Sequence, residues 1–153
     1  SRTNSGAKNN EKENDMGTER TSAPAQWKWM YWLGWVLAAG PVFMLCFSAF
    51  MKLSRNPQAV EGFAKMGYPP GALMTLGIAE LGSTILYLIP QTSVLGAILL
   101  TGYLGGAVDV HTRNGDPFVN IATPIVFGIL LWGGLFLRDA RIRALIPFGK
   151  KSQ

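Results

Sequence analysis

From Trp27 onward the chain alternates long apolar runs with short polar breaks, and before Trp27 it shows no such pattern. Four runs approach or exceed the about 20 apolar residues that a helix needs to cross a bilayer's hydrocarbon core. They cover about 27–51, 71–89, 92–110 and 119–137. The breaks carry the stop signals: Lys52 with Ser54-Arg55-Asn56-Pro57, then Pro69-Pro70, Pro90-Gln91, and the polar turn His111-Thr112-Arg113-Asn114-Gly115-Asp116-Pro117. Pro41 is expected to kink the first run after Gly40, and Pro124 falls near the start of the fourth. The short link Pro90-Gln91 forces runs two and three to be antiparallel neighbours. Between runs one and two, Val60 to Tyr68 places Val60, Phe63, Ala64 and Met66 at helical spacing. It is too short and too charged to cross, so it reads as an interfacial helix. The fold class predicted is all-α: a polytopic membrane four-helix bundle behind a disordered N-terminal tail.

Composition sharpens that picture. With 153 residues, 48% of them hydrophobic, the chain has material for one compact unit. Residues 1–26 are polar and read as disordered, 27–147 form the membrane domain, and 148–153 are a short basic tail. The tail lacks the features of a cleaved secretory signal. The net charge of +5 sits beside apolar spans rather than on a reading face, so nucleic acid is not an expected partner and lipid headgroups are. Arg138, Arg141, Arg143, Lys150 and Lys151 follow the last run, against Lys52, Arg55, Lys65 and Arg113 on the other side. Basic residues favour the cytoplasm, so both termini are expected there, in a multi-pass protein of a bacterial inner membrane. Trp27, Trp29, Tyr31, Trp32 and Trp35 are expected to anchor the first helix at the interface. The lone Cys46 can form neither an internal disulfide nor a redox pair.

The chemistry centres on Glu80, near the middle of GALMTLGIAELGSTILYLI. A charge at that depth costs at least about 2.5–3.5 kcal/mol, so such groups pair, protonate or serve a site. Gly77, Ser83, Thr84 and Tyr87 share its helix face, and the hydroxyls of Ser83 and Thr84 are expected to bond across to a neighbour. In the third run Gly102 and Gly106 make a GxxxG with Gly105 beside them, expected to let helices pack closely. Counting from the Pro90-Gln91 turn puts Thr101 or Tyr103 level with Glu80. Asp109, His111 and Arg113 should lie about 9–15 Å nearer the far interface. Lys52 should share that outer level, so a separate polar cluster of Lys52, Asp109, His111 and Arg113 is expected at the mouth. The ligand-binding candidates are Glu80, Tyr103, His111, Arg113 and Lys52. No metal-ligand set, phosphate loop or nucleophile motif is present in the sequence, and no cofactor is evident.

Residues 47–147 resemble the DoxX-like membrane family, related to DoxX and DoxD. The resemblance is carried by FSAFMKL, GIAELGSTILYLIP, GAILLTGYLGGAV, the His111-to-Pro117 turn and PIVFGILLWGGLFLRDARIRALIP. It implies a four-helix membrane bundle in which Lys52, Glu80, Gly105, Gly106, His111 and Arg113 are recurring positions, whereas Asp109 and Thr112 depart from the pattern. DoxD relatives resemble small subunits of a thiosulfate:quinone oxidoreductase, and DoxX relatives are associated with membrane redox and thiol-stress complexes. The resemblance therefore implies an accessory subunit with a quinone or lipid site, a membrane redox partner or a second copy of itself. The alternative is a scaffolding protein whose buried polar groups only specify helix packing.

Overall fold

The computed structural model describes residues 26–145, so the polar tail and the basic end fall outside the described residues. Among the described residues six helices follow one another: α1 (Gln26–Leu53), α2 (Pro57–Lys65), α3 (Ala72–Leu88), α4 (Ser93–Arg113), α5 (Phe118–Arg138) and α6 (Ala140–Leu145). No strand occurs among the described residues. The four longer helices close a ring in which α1 touches α3 and α5, and α4 touches α3 and α5. The short α2 lies against α1 and α3, and α6 folds back on α5.

Three of these helices are long and apolar enough to cross a membrane: Lys28–Leu53 within α1, Ser93–Arg113 and Phe118–Arg138. The expected second crossing is α3, apolar but only 17 residues long, or about 25 Å at 1.5 Å per residue. Pro69-Pro70 and Pro90 mark its limits: a proline ring disfavours helical conformation in the residue before it, and Ile89 before Pro90 is extended. The helix α1 runs unbroken through Pro41, which supplies no N–H to the carbonyl of Leu37.

Unlike a water-soluble bundle, this one is apolar on its outer surface as well as in its core. Large apolar side chains point outward, among them Val36, Phe43, Phe47, Phe50, Ile78, Ile98 and Ile129. Lys52, Glu80, Ser83, Thr84 and Ser93 are buried. Ionisable side chains are almost never inside a soluble core unless paired, and outward-facing Phe and Ile suit hydrocarbon. Trp29 and Trp32 are exposed at the start of α1, as an interfacial anchor requires.

One end of the ring is sealed by close backbone approach. A Cβ at Gly96 would stand 2.2 Å from the Tyr87 backbone N, so α3 and α4 pack more tightly there than any other residue permits. A Cβ at Gly34 would meet the Gly134 carbonyl at 2.6 Å, and the reverse contact is equally short, which brings α1 against α5. Tyr87 is fully buried and its hydroxyl donates to the Leu131 carbonyl at 2.8 Å. The Arg138 guanidinium lies between the Trp35 and Tyr87 rings, 4.2 and 4.4 Å from their centroids. It also donates to the Tyr87 carbonyl at 2.8 Å, near the C-terminal end of α3 where a cation is favoured.

Candidate functional site

At the opposite end the ring stays open. The chain leaves α1 at Leu53, and a Cβ at Gly77 would lie 3.1 Å from Lys52 Cβ, so α1 ends level with the second turn of α3. The start of α3 at Ala72 therefore projects about 7–8 Å beyond the end of α1. The loop and α2 occupy the vacated layer. Arg55 enters α2 in the left-handed region, at φ 52°, and Gly67 leaves it at φ 77°. Asn56 caps it by accepting from the Gln58 N–H at 3.0 Å, with Pro57 at the first helical position.

This offset decides the partner of Glu80. Side chains on a helix lean toward its N-terminus, so Lys52 points inward toward Ser48, one turn back in α1. Its ammonium donates to Glu80 Oε2 at 2.8 Å and to Ser48 Oγ. Ser48 Oγ is itself 3.4 Å from the same carboxylate oxygen. The Lys52 side chain is 9% accessible and that of Glu80 1%. Tyr103 of α4 stands beside the pair, its ring 5.7 Å from Lys52 Nζ. The Phe63 ring of α2 covers the ammonium from another side at 5.8 Å. The result is one ammonium, one carboxylate and the Ser48 hydroxyl held within apolar and aromatic walls. In such surroundings the two charges neutralise each other, and removing one alone leaves a buried charge without compensation.

The group forms the floor of a cavity of about 580 Å³ to which all four long helices and the α2 segment contribute. Leu45, Leu76, Leu104, Ala107 and Phe127 give it apolar walls, while His111, Asn120 and Thr123 supply polar groups farther along α4 and α5. Eight residues of α4 separate Tyr103 from His111, about 12 Å along the axis, so the polar groups form two separate tiers. His111 Nδ1 and Asp116 Oδ2 lie 2.6 Å apart across the α4–α5 turn.

Four of the five ligand-binding candidates line this space: Lys52, Glu80, Tyr103 and His111. The fifth, Arg113, does not. Its side chain is 76% accessible and pairs with Asp109 at 3.7 Å, an i, i+4 contact on the surface. The expected cluster of Lys52, Asp109, His111 and Arg113 is accordingly corrected: it splits into three separate pairs, because α1 stops short of the level at which α4 ends. The hydroxyls of Ser83 and Thr84 do not reach across either. Each donates within α3, to the carbonyls of Ala79 and Glu80. Thr101 accepts from Trp132 Nε1 at 2.8 Å and takes no part in the site.

Among the glycines expected to pack helices, Gly77 does so against α1. Gly102, Gly105 and Gly106 have nothing within 4 Å of a built Cβ. Gly102 and Gly106 instead form part of the cavity wall, and Gly105 faces outward. The contributions of Ser48, Phe63, Tyr68 and Asn120 went unread in the sequence. Ser48 alone had a signal, as the residue one turn before Lys52 on the same face.

Among the described residues no group of three or more His, Cys, Asp or Glu side chains is placed to hold a metal ion. The family model described as the DoxX-like family matches residues 28–134. No curated protein and no solved structure shows significant similarity to the chain.

Proposed function

Because the chain belongs to the DoxX-like family of membrane proteins, we propose that it is a ligand-binding subunit of a membrane redox assembly. Its ligand would be quinone-like or lipid-like, with a compact head that accepts hydrogen bonds. The observation that carries this reading is the buried Lys52–Glu80 pair at the floor of an otherwise largely apolar cavity. Lys52 would donate to a carbonyl oxygen of the head, Tyr103 and Phe63 would flank its ring, and Glu80 would hold the ammonium in place. A buried carboxylate hydrogen-bonded to a lysine is also suited to taking or giving a proton as such a head changes charge. Electrons would come from a partner subunit.

The same proposal includes α3 as a fourth crossing. Its outward Ile78, Ile85 and Ile89 suit lipid, and its place in the ring between α1 and α4 supports it. With four crossings both termini share a side, and the arginines around Arg138 would put that side in the cytoplasm. The cavity would then open toward the opposite face.

A second reading has its own support. Lys52, Ser48 and Glu80 satisfy one another across α1 and α3, which is what a device for helix register would do. A thermal-shift screen of the detergent-solubilised protein against quinones and lipids separates the two. A saturable rise in Tm that the Tyr103→Phe variant reduces supports ligand binding. No rise with any compound leaves the register device.

A further inference from the structure

Behind the inner cavity, on the outward face between α4 and α5, lies a groove of about 500 Å³. Its floor and sides include Gly105, Val108, Ile129 and Trp132, and it shares two residues, Leu104 and Pro124, with the inner cavity. Both shared residues are buried, so each forms part of the wall between the two spaces. Leu104 bridges the gap between the helices, its Cδ1 3.9 Å from the position of a Cβ at Gly128. Pro124 has no N–H to give the carbonyl of Asn120, which leaves α5 without one of its helical hydrogen bonds at this level.

The chemistry of the two spaces differs. The groove holds one hydroxyl, that of Thr101, and it is already engaged, accepting from Trp132 and donating to the Ala97 carbonyl. What remains is hydrocarbon, glycine and the Trp132 ring, with Ile125 and Ile129 facing outward. The groove can therefore recognise hydrocarbon and little else. The inner cavity's farther tier, with His111, Asn120 and Thr123, is polar and unsuited to a long apolar chain. A molecule whose head reaches Lys52 and whose tail is apolar finds chemically matched space for that tail in the groove on the other side of Leu104 and Pro124.

We propose that the α4–α5 groove is a tail site, and that the ligand is an amphiphile with a compact hydrogen-bond-accepting head and a long hydrocarbon tail, exchanged laterally with the bilayer between α4 and α5. This rests on the reading of the inner cavity as a head site. It adds a second site and restricts the ligand to tailed molecules.

The test uses the full chain in bilayer nanodiscs and a benzoquinone with a photoactivatable diazirine at the end of a decyl tail. Label sites are mapped by mass spectrometry with and without excess tailless benzoquinone. The expected result is labelling of 104–108 and 125–132, lowered at least fivefold by the tailless competitor. The Gly105→Phe variant, whose added ring enters open space, should lose that label while still binding the tailless compound. Competition at Ile98 or on α1, with none in the groove, overturns the tail site and leaves the head site standing. Labelling that the tailless compound nowhere displaces overturns the head site and the tail site with it. Should Gly105→Phe fail to fold, the competed map of the wild-type chain decides alone.

Discussion

The two ends of this helical ring use the same residue types to opposite effect. At the end where α1 begins and α5 finishes, glycines draw backbones together: Gly96 against Tyr87, Gly34 against Gly134. The cation there, Arg138, is spent on a backbone carbonyl and two aromatic rings. At the other end, Gly102 and Gly106 meet nothing and help leave a cavity of about 580 Å³, and the cation Lys52 points into it beside Glu80. A glycine in a membrane helix thus closes a contact only when a second helix is at its level. Where it faces the space inside the ring instead, as Gly102 and Gly106 do, it makes room.

The largest expected effect breaks the contrast at the sealed end. Gly96→Ala would place a methyl group 2.2 Å from the Tyr87 N, and should cost at least about 3 kcal/mol, seen as loss of a monodisperse peak in detergent. Gly102→Ala is its counterpart. With no atom within 4 Å, it should leave Tm unchanged or raise it, by up to about 1 kcal/mol of helix propensity. Equal losses from both would remove the distinction between the ends.

Next comes the buried pair. Glu80→Leu leaves the Lys52 ammonium uncompensated and should destabilise by about 3–5 kcal/mol, whereas Lys52→Met combined with Glu80→Leu should recover most of that loss. A double variant no better than the single one would show that the two charges do not compensate each other. Smaller again, Tyr87→Phe deletes the hydroxyl that donates to the Leu131 carbonyl and should cost about 1 kcal/mol in thermal melts.

The smallest effect lies outside the spans. Asp139 is held below its ordinary value of 3.8, chiefly because the Arg141 side chain donates to it. A carboxylate with a depressed folded-state pKa contributes stability that is fully present above its unfolded value. That contribution is lost as the pH falls through the lower, folded value. Wild type should therefore lose a small increment of Tm below pH about 4 that Asp139→Asn does not lose. An identical acid dependence for both would contradict the pairing.

Much of this architecture was legible in the residues. The apolar runs and proline breaks placed all four long helices, because helix length and chain breakers are local properties; the short helix expected over Val60 to Tyr68 instead spans Pro57–Lys65, started by the Asn56 cap and Pro57. Glu80 was legible as buried from its apolar run, and Thr101 or Tyr103 as level with it from counting outward from the Pro90-Gln91 turn; of these two only Tyr103 lines the cavity. The partner of Glu80 was not. Lys52 reads as an outer-level residue unless the end of α1 is known to lie against Gly77, and that offset arises from how the segment 54–71 folds back. The outward display of Arg113 and the empty space at Gly105 depend likewise on helix rotation, which spacing along one chain does not fix. Ser48 could have been found from its position four residues before Lys52.

The most direct test of a head site at the Lys52–Glu80 pair is equilibrium binding of tailless benzoquinone in nanodiscs, comparing wild type with the Lys52→Met/Glu80→Gln double variant, which retains no unpaired charge there. The account predicts saturable one-to-one binding by wild type, weakened at least about tenfold, or about 1.4 kcal/mol, in a double variant that remains folded. Equal affinity for both proteins, or no saturable binding by wild type, would contradict it.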